Sequence, residues 1–136
     1  MRTLLITALA AASLSTVAIA RDSSLMGSAL GDATTINNYY KQAVYDQGDN
    51  KIGEIMDVLL GRSGHVDGLI IGVGGFLGAG EKDVLVPFDA VQNKMKDNKW
   101  HLVMNTTKDA LKNAHGFKYD DSKASWVPDK SQTTSK

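Results

Sequence analysis

Short apolar runs separated by turn residues fill the middle of this chain. The run over residues 52–60 is largely apolar at both its odd and its even positions, a pattern typical of a strand enclosed by other elements. Gly53 within it predicts a bulge or a close backbone approach. Residues 48–50 before it and 61–64 after it favour tight turns. The same criteria predict further strands at residues 39–46, 65–73, 84–88 and 100–104.

The C-terminal part of the pattern contains one short helix. Thr107 can serve as its N-cap, and Asp109 lies in its first turn, where a negative charge interacts favourably with the helix dipole. Gly116 is predicted to close the helix just after its C-cap. Residues 89–96 are polar and predict a turn that could continue into a helix. Many short strands with one small helix predict an all-β (mainly β) domain, either a small barrel or a sandwich.

The first twenty residues have the pattern of a secretory signal peptide. Arg2 supplies a positive charge, residues 4–14 are almost entirely apolar, and Ala18 and Ala20 form an A-x-A cleavage site. The alternative is a transmembrane anchor, but the apolar run is shorter than the ~20 residues that span a bilayer. The sequence therefore predicts cleavage after Ala20, a mature chain without a transmembrane segment, and a periplasmic or secreted location.

Two polar segments flank the predicted domain, which covers residues 39–117. Residues 21–38 lack periodicity and are rich in Ser, Gly, Asp, Thr and Asn, which predicts a flexible leader. Residues 118–136 are mostly polar and predict a disordered tail. Trp126 is the exception in that tail. We expect it to dock on the domain, because burying so large an apolar side chain gains ~2 kcal/mol or more; contact with a partner is the alternative.

Composition excludes several classes of protein. The chain contains no cysteine, which excludes a disulfide framework, a thiolate metal site and a cysteine nucleophile. Its 15 basic and 15 acidic residues give a formal net charge of zero, whereas a dedicated nucleic-acid binder usually has a basic excess or a basic stripe. We therefore do not expect a nucleic-acid partner.

A glycine-rich loop over residues 72–80 invites comparison with a dinucleotide-binding loop. Gly72 and Gly74 fit that motif, but the third glycine would fall at Leu77, and a strand rather than a helix follows. A phosphate bound there would not meet a helix N-terminus. Phe76 and Leu77 are either core residues or an exposed apolar lip of the kind that partners bind.

Glu81, Lys82 and Asp83 follow the loop. In an extended chain the two carboxylates share one face and Lys82 points to the other. Two carboxylates fall far short of the six or more oxygens that calcium takes, and the three histidines match no close zinc-ligand spacing. The sequence shows no constellation for catalysis. We therefore expect a solvated edge, no metal, no cofactor and no enzymatic activity.

Three segments of the chain resemble PRC-barrel domains. Residues 51–60 resemble the opening hairpin of that family, and residues 72–89 are similar to its exported proteobacterial members, with Glu-Lys-Asp-Val and Val-Pro-Phe-Asp after the glycine loop. Residues 107–117 are similar to the short helix that often follows. The resemblance covers residues 40–117 and implies a small, strongly bent β-barrel with a short C-terminal helix. The same barrel occurs in the H subunit of purple-bacterial photosynthetic reaction centres and in ribosome-maturation factors.

The resemblance implies no catalytic residues, and in both of those proteins the barrel is an assembly and docking element. We therefore expect a non-catalytic periplasmic module for protein–protein interaction or assembly, acting by surface docking, edge-strand addition or self-association. The alternative is a small-ligand binder whose glycine-rich loop closes one end of the barrel, although a barrel this small is usually filled by its own side chains. The candidate contact residues are Gly74, Gly75, Phe76, Leu77, Gly78, Glu81, Lys82 and Asp83.

Overall fold

A computed structural model describes residues 26, 28, 31–74 and 80–132 of the chain. Its contacts divide the chain into two units, residues 1–33 and 34–136, and all the elements given below belong to the second unit. The predicted signal peptide lies outside the described residues. No helix within the described ranges is long and apolar enough to cross a membrane.

The second unit consists mainly of strands, which confirms the predicted mainly-β class. Within the described ranges its α-helix, α1, covers Lys108–Asn113, and short 3₁₀ turns lie at Ile36–Asn38, Phe88–Ala90 and Lys130–Gln132. In chain order the strands are β1 (Ala43–Tyr45), β2 (Lys51–Leu60), β3 (Val66–Val73), β4 (Lys82–Pro87), β5 (Val91–Lys96), β6 (Lys99–Met104), β7 (Gly116–Asp120) and β8 (Ser125–Pro128).

The eight strands of the described residues form a single sheet with the order β5-β6-β1-β2-β3-β4-β7-β8. Neighbouring strands are antiparallel, except that β1 and β6 are parallel. Strands β5 and β8 end the sheet and do not pair with each other, so the predicted barrel is corrected to a sheet that is not closed. Two ladders within the sheet are short: β4 pairs with β7 only through Asp83 and Val84, and β1 pairs with β6 only through Val44 and Tyr45, whereas a closed barrel needs continuous pairing around its circumference.

One face of the sheet forms the core. Pairing places Ile55 opposite Ile71, and Ile71 opposite Val84, so these three buried side chains point to the same face. No polar or charged residue among those described is buried, and the interior is therefore filled by apolar side chains. The core cluster consists of Tyr39, Val44, Ile52, Ile55, Leu69, Ile71, Val73, Val84, Val86, Val91, Leu102 and Leu111.

Two local features predicted around β2 are confirmed. In the turn before β2, the Asp46 carboxylate accepts hydrogen bonds from the backbone N–H groups of Gly48 (2.8 Å) and Asn50 (2.9 Å). Such Asx bonding stabilises turns. A Cβ at Gly53 would lie 2.5 Å from Cγ2 of Ile71, so the neighbouring strand approaches too closely for any side chain at this position.

The helix predicted within residues 89–96 is wrong, because residues 91–96 form β5. This strand pairs with β6 around a two-residue turn in which Asp97 and Asn98 have φ values of 51° and 57°. Positive φ at both central residues is the geometry that suits a tight hairpin, and Asp and Asn tolerate it. Val91 is the buried residue of β5, so the strand lacks the apolar alternation that would reveal it in the sequence.

Helix α1 begins as predicted and ends earlier than predicted. The hydroxyl of Thr107 accepts a hydrogen bond from the backbone N–H of Ala110 at 3.1 Å, which confirms the N-cap. At the other end Ala114 is the C-cap and has an extended conformation, and Gly116 begins β7 instead of closing the helix. The chain therefore turns directly from the helix into a strand.

The prediction of a disordered tail is wrong for residues 118–132. Strands β7 and β8 form a hairpin, and the Asp120 carboxylate accepts a hydrogen bond from the Ser122 N–H within its turn. The Tyr119 and Trp126 rings lie opposite each other with centroids 5.7 Å apart. Trp126 also donates a hydrogen bond to Asp57 on β2, so its predicted docking on the domain is confirmed. Residues 133–136 lie outside the described ranges.

Candidate functional site

The predicted contact residues lie where β3 ends and β4 begins. Gly74 follows β3 and has a φ of 79°, a conformation that favours glycine. Glu81, Lys82 and Asp83 lie at the start of β4. The remaining candidates, Gly75, Phe76, Leu77 and Gly78, lie outside the described residues, and the burial or exposure of the two apolar side chains stays a prediction.

Lys82 has a structural partner in this arrangement. Its ammonium group donates hydrogen bonds to the backbone carbonyl oxygens of Lys112 (2.7 Å) and Ala114 (3.1 Å) at the end of α1. A cation at this end of a helix satisfies free carbonyl groups and interacts favourably with the helix dipole. Lys82 therefore ties β4 to α1.

Glu81 and Asp83 lie close to Gly72 on the face of the sheet away from the core. Asp83 is paired with Gly72 on β3, and a Cβ at Gly72 would collide with the Glu81 carboxylate. Burial raises the pKa of Asp83, and the negative charge of Glu81 raises it further. Oδ1 of Asp83 is buried without a hydrogen-bond partner among the described residues. Asp83 therefore remains protonated to a higher pH than an exposed aspartate does.

A charged cleft of about 590 Å³ adjoins these residues. Its rim carries charges of both signs from Lys51, Glu54, Glu81 and Lys108. The Lys51 and Glu54 side chains form an exposed ion pair at 3.6 Å. Two of the four rim charges are therefore already paired with each other. No group of three or more acidic or histidine side chains in the described ranges is arranged to hold a metal ion.

A second concave surface lies on the same outer face of the sheet, and its floor is β3. Pairing places Ile70 of β3 between Asp57 of β2 and Leu85 of β4. Gly68 and Gly72 lie on the two sides of Ile70 along this face, since strand residues two apart share a face. Ile70 is fully buried although it is not part of the core cluster. A Cβ at Gly68 would lie 2.9 Å from Cδ1 of Leu85 and 3.0 Å from the Val86 carbonyl oxygen, so Leu85 covers this glycine and the depression lies beside it.

Apolar side chains form the walls of this depression, which we call the outer-face groove. It consists of two hollows of about 390 and 510 Å³ that share Leu59, Asp67 and Leu85. Leu85 is 39% exposed, Tyr119 48% and Leu60, at one end of the groove, 63%. Exposed apolar groups gathered in one concavity are typical of surfaces that bind partners. The groove is defined by Leu59, Gly68, Leu85, Pro87, Tyr119 and Trp126.

Two carboxylates lie beside the apolar walls of the groove. Oδ1 of Asp57 accepts a hydrogen bond from the Val58 backbone N–H (2.8 Å), and Oδ2 accepts one from the Trp126 indole N–H (2.7 Å). Both of these donors are neutral. Asp67 has no hydrogen bond or ion pair with any residue that the structure describes. The groove therefore combines apolar walls with negative charge.

A charged cluster joins the β1–β2 turn to the β5–β6 hairpin. The Asp49 carboxylate accepts hydrogen bonds from the Lys96 ammonium group and from Nε2 of His101, the latter at 2.8 Å. The hydrogen bond from Lys96 is the main reason that the pKa of Asp49 is lowered. The His101 ring stacks on Tyr45 with centroids 4.4 Å apart. These contacts connect distant parts of the chain and hold the β5–β6 hairpin against the β1–β2 turn.

Sequence reasoning missed the outer-face groove, although one of its signals was present. The predicted strand at residues 52–60 was read as apolar on both faces, and its last four residues, 57–60, line the groove. Leu85 lay in a predicted strand, but its partner strands were unknown. Tyr119 and Trp126 lay in the segment predicted to be disordered. The groove depends on pairings between distant segments, which a single sequence does not reveal.

Comparison with known proteins identifies one family. The family model described as PRC-barrel domain matches residues 32–111, more than half of the chain. This match covers strands β1 to β6 and part of α1, whereas β7 and β8 lie beyond it. No curated protein matches the chain.

Proposed function

This chain belongs to the PRC-barrel domain family, and we propose that it is an exported, non-catalytic module that binds a protein partner. Modules of this family often have protein-interaction roles. The pattern of residues 1–20 supports export to the periplasm or beyond. The resemblance of residues 72–89 to exported proteobacterial members supports a bacterial periplasmic setting. The proposal assigns no catalytic step to the chain.

The observation that carries this proposal is the exposed apolar surface of the outer-face groove. Leu60, Leu85 and Tyr119 hold large apolar areas in water, and covering such area with a partner is favourable by about 25 cal/mol per Å². The core of the sheet needs none of these three side chains, because it is filled by others. We therefore expect a partner protein to cover this surface.

The glycine-rich loop is a second contact candidate within the same proposal. Gly74, Glu81 and Asp83 adjoin the loop, and Phe76 and Leu77 within it would add apolar contact area if they form an exposed lip. Lys82 contributes less to partner binding than its neighbours, since its ammonium group is already bound to α1.

Cross-linked capture tests the proposal. The mature chain, residues 21–136, is used as bait in periplasmic extract of the source organism. Two double variants and one single variant are compared with it. The double variants are Leu60→Ser with Leu85→Ser in the groove and Phe76→Ala with Leu77→Ala in the loop, and the single variant Met95→Ser is the control. Met95 is 61% exposed on the β5–β6 hairpin, so its replacement removes exposed apolar area elsewhere.

The expected result is one defined partner that the parent and the Met95→Ser variant retain and that the groove or loop variant loses. Each variant must keep the circular dichroism spectrum of the parent. If no variant changes the set of captured proteins, the proposal is contradicted.

A small-ligand function is the second candidate, and the charged cleft favours it. Its rim of two lysines and two glutamates suits a small molecule with both an anionic and a cationic group. A screen of metabolites by thermal shift tests this function, with Glu81→Gln as the variant that weakens the cleft. A ligand that raises the melting temperature of the parent but not of this variant would support ligand binding.

A further inference from the structure

The outer-face groove has a pocket with room for one side chain. Leu59, Leu85 and Pro87 line a hollow of about 390 Å³ beside Gly68, and the Leu85 side chain covers the glycine itself. Apart from Asp67 the side chains of the lining are apolar, so an aliphatic side chain placed in this hollow would lose its water contacts without losing hydrogen bonds.

The charge beside this pocket is negative and free to bind a cation. Asp67 lines both hollows of the groove and has no hydrogen bond or ion pair with any described residue. A charge-assisted hydrogen bond from a Lys or Arg is the strongest interaction that such a carboxylate makes with another protein. The groove therefore suits a partner that carries an aliphatic group close to a cation.

The backbone beside the pocket can accept an extended chain. Strand β4 pairs with β7 only through Asp83 and Val84, so residues 85–87 have no strand neighbour on that edge. In a strand, alternate residues direct their N–H and C=O groups to the same edge. Adjacent residues face opposite edges, so only one of Leu85 and Val86 directs its N–H and C=O groups to the open edge, where it could pair with an added extended segment; Pro87 has no N–H to offer.

We propose that the outer-face groove binds an extended segment of a partner protein that presents an aliphatic side chain within two residues of a Lys or Arg. The aliphatic side chain lies in the hollow beside Gly68, between Leu59, Leu85 and Pro87, and the cation pairs with Asp67. This inference rests on the proposed protein-binding function and specifies the chemistry of the partner at one surface.

Three capped peptides test this on the protein expressed from its complete sequence and purified. They are acetyl-Gly-Leu-Ser-Arg-Gly-amide, the same peptide with Glu in place of Arg, and the same peptide with Ser in place of Leu. Binding is followed by the fluorescence of Trp126 in a Trp100→Phe background, since the chain has two tryptophans. The amide signal of Gly68 in ¹⁵N-correlated NMR spectra locates the site.

The Leu-Ser-Arg peptide should shift both signals, about threefold more tightly than the Glu peptide and roughly tenfold more tightly than the peptide without Leu. Asp67→Asn should abolish the preference for Arg over Glu. The control Asp97→Asn removes the same charge from the exposed β5–β6 turn, and it should leave that preference intact. Because the three peptides are compared on unchanged groove residues, their ranking does not depend on the folding of a groove variant, and the NMR signal of Gly68 is followed in the parent protein.

Equal binding of the Arg and Glu peptides, or no change at Gly68 and Trp126 with any peptide, overturns this inference. If the protein still captures a partner that the groove or loop variants lose, the proposed function survives that failure. Self-association that sedimentation detects and that Leu85→Ser removes would also overturn it, because a second copy would then be the occupant. If neither a peptide nor a partner binds, the inference and the proposed function both fail.

Discussion

The indole N–H of Trp126 on β8 donates a 2.7 Å hydrogen bond to the carboxylate of Asp57 on β2, although three strands separate β8 from β2 in the sheet. In a flat sheet these strands would be roughly 19 Å apart, since neighbouring strands are ~4.8 Å apart. The contact therefore requires a strongly curved sheet, even though the sheet is not closed. This curvature brings the β7–β8 hairpin over the outer face and creates the groove.

Replacing Trp126 with Phe should reduce stability by about 1–2 kcal/mol, because the change removes a hydrogen bond to a carboxylate and keeps most of the ring contacts. Asp57→Asn should cost a similar amount. Urea unfolding of the two single variants and the double variant gives their coupling energy. We expect the double variant to be less destabilised than the sum of the single variants by at least about 0.5 kcal/mol; simple additivity would show that the hydrogen bond contributes nothing.

Lys82→Met should destabilise the protein by about 0.5–1 kcal/mol, because the last carbonyl groups of α1 lose their cation. Amide hydrogen exchange in α1 should accelerate as well. Lys108→Met is the matched control, since Lys108 lies in the first turn of the same helix, where a positive charge interacts unfavourably with the dipole. This control should be neutral or slightly stabilising, and equal losses for both variants would contradict the role given to Lys82.

The raised pKa of Asp83 makes its contribution to stability depend on pH. Because burial raises the folded-state pKa above the unfolded value, the folded protein binds the proton more tightly, and stability falls as the pH rises from the unfolded pKa through the folded pKa. Asp83→Asn should therefore gain stability relative to the parent as the pH rises through this window. The comparison of variant and parent cancels the opposite contributions of Asp46, Asp49, Asp120 and Asp129, whose pKa values are lowered.

Carboxyl NMR titration measures the same effect directly. The pKa of Asp83 should move down in the Glu81→Gln variant, because the charge of Glu81 raises it in the parent. A pKa for Asp83 at or below that of an exposed aspartate would contradict the burial of this group.

Local signals in the sequence were sufficient for the turns on both sides of β2 and for most of the strands. The Asp46–Asn50 turn, the Thr107 cap and the close approach at Gly53 each depend on residues whose chemistry admits few alternatives. Strand β5 could not be recognised in this way. Its exposed positions are polar, and only the Asp97–Asn98 turn marks the hairpin.

The candidate site depended more on distant contacts. Asp57 and Trp126 are separated by 69 positions in the chain, and the partner carbonyls of Lys82 lie 30 and 32 positions away from it. Composition alone placed Trp126 in a polar tail. The docking of its side chain could be expected from its size, but the hairpin that carries it could not, since β7 and β8 are only five and four residues long and lie in a mostly polar segment.

The central claim is that the outer face of this PRC-barrel module is covered by a partner protein. Photo-cross-linking in living cells tests it most directly, with p-benzoylphenylalanine placed in turn at position 85 in the groove and at position 95 on the β5–β6 hairpin. Leu85 and Met95 are both exposed, so the two positions differ mainly in their surroundings. We predict a discrete cross-linked partner from position 85 and none from position 95. Equal labelling from both positions, or no cross-link from position 85, would contradict the account.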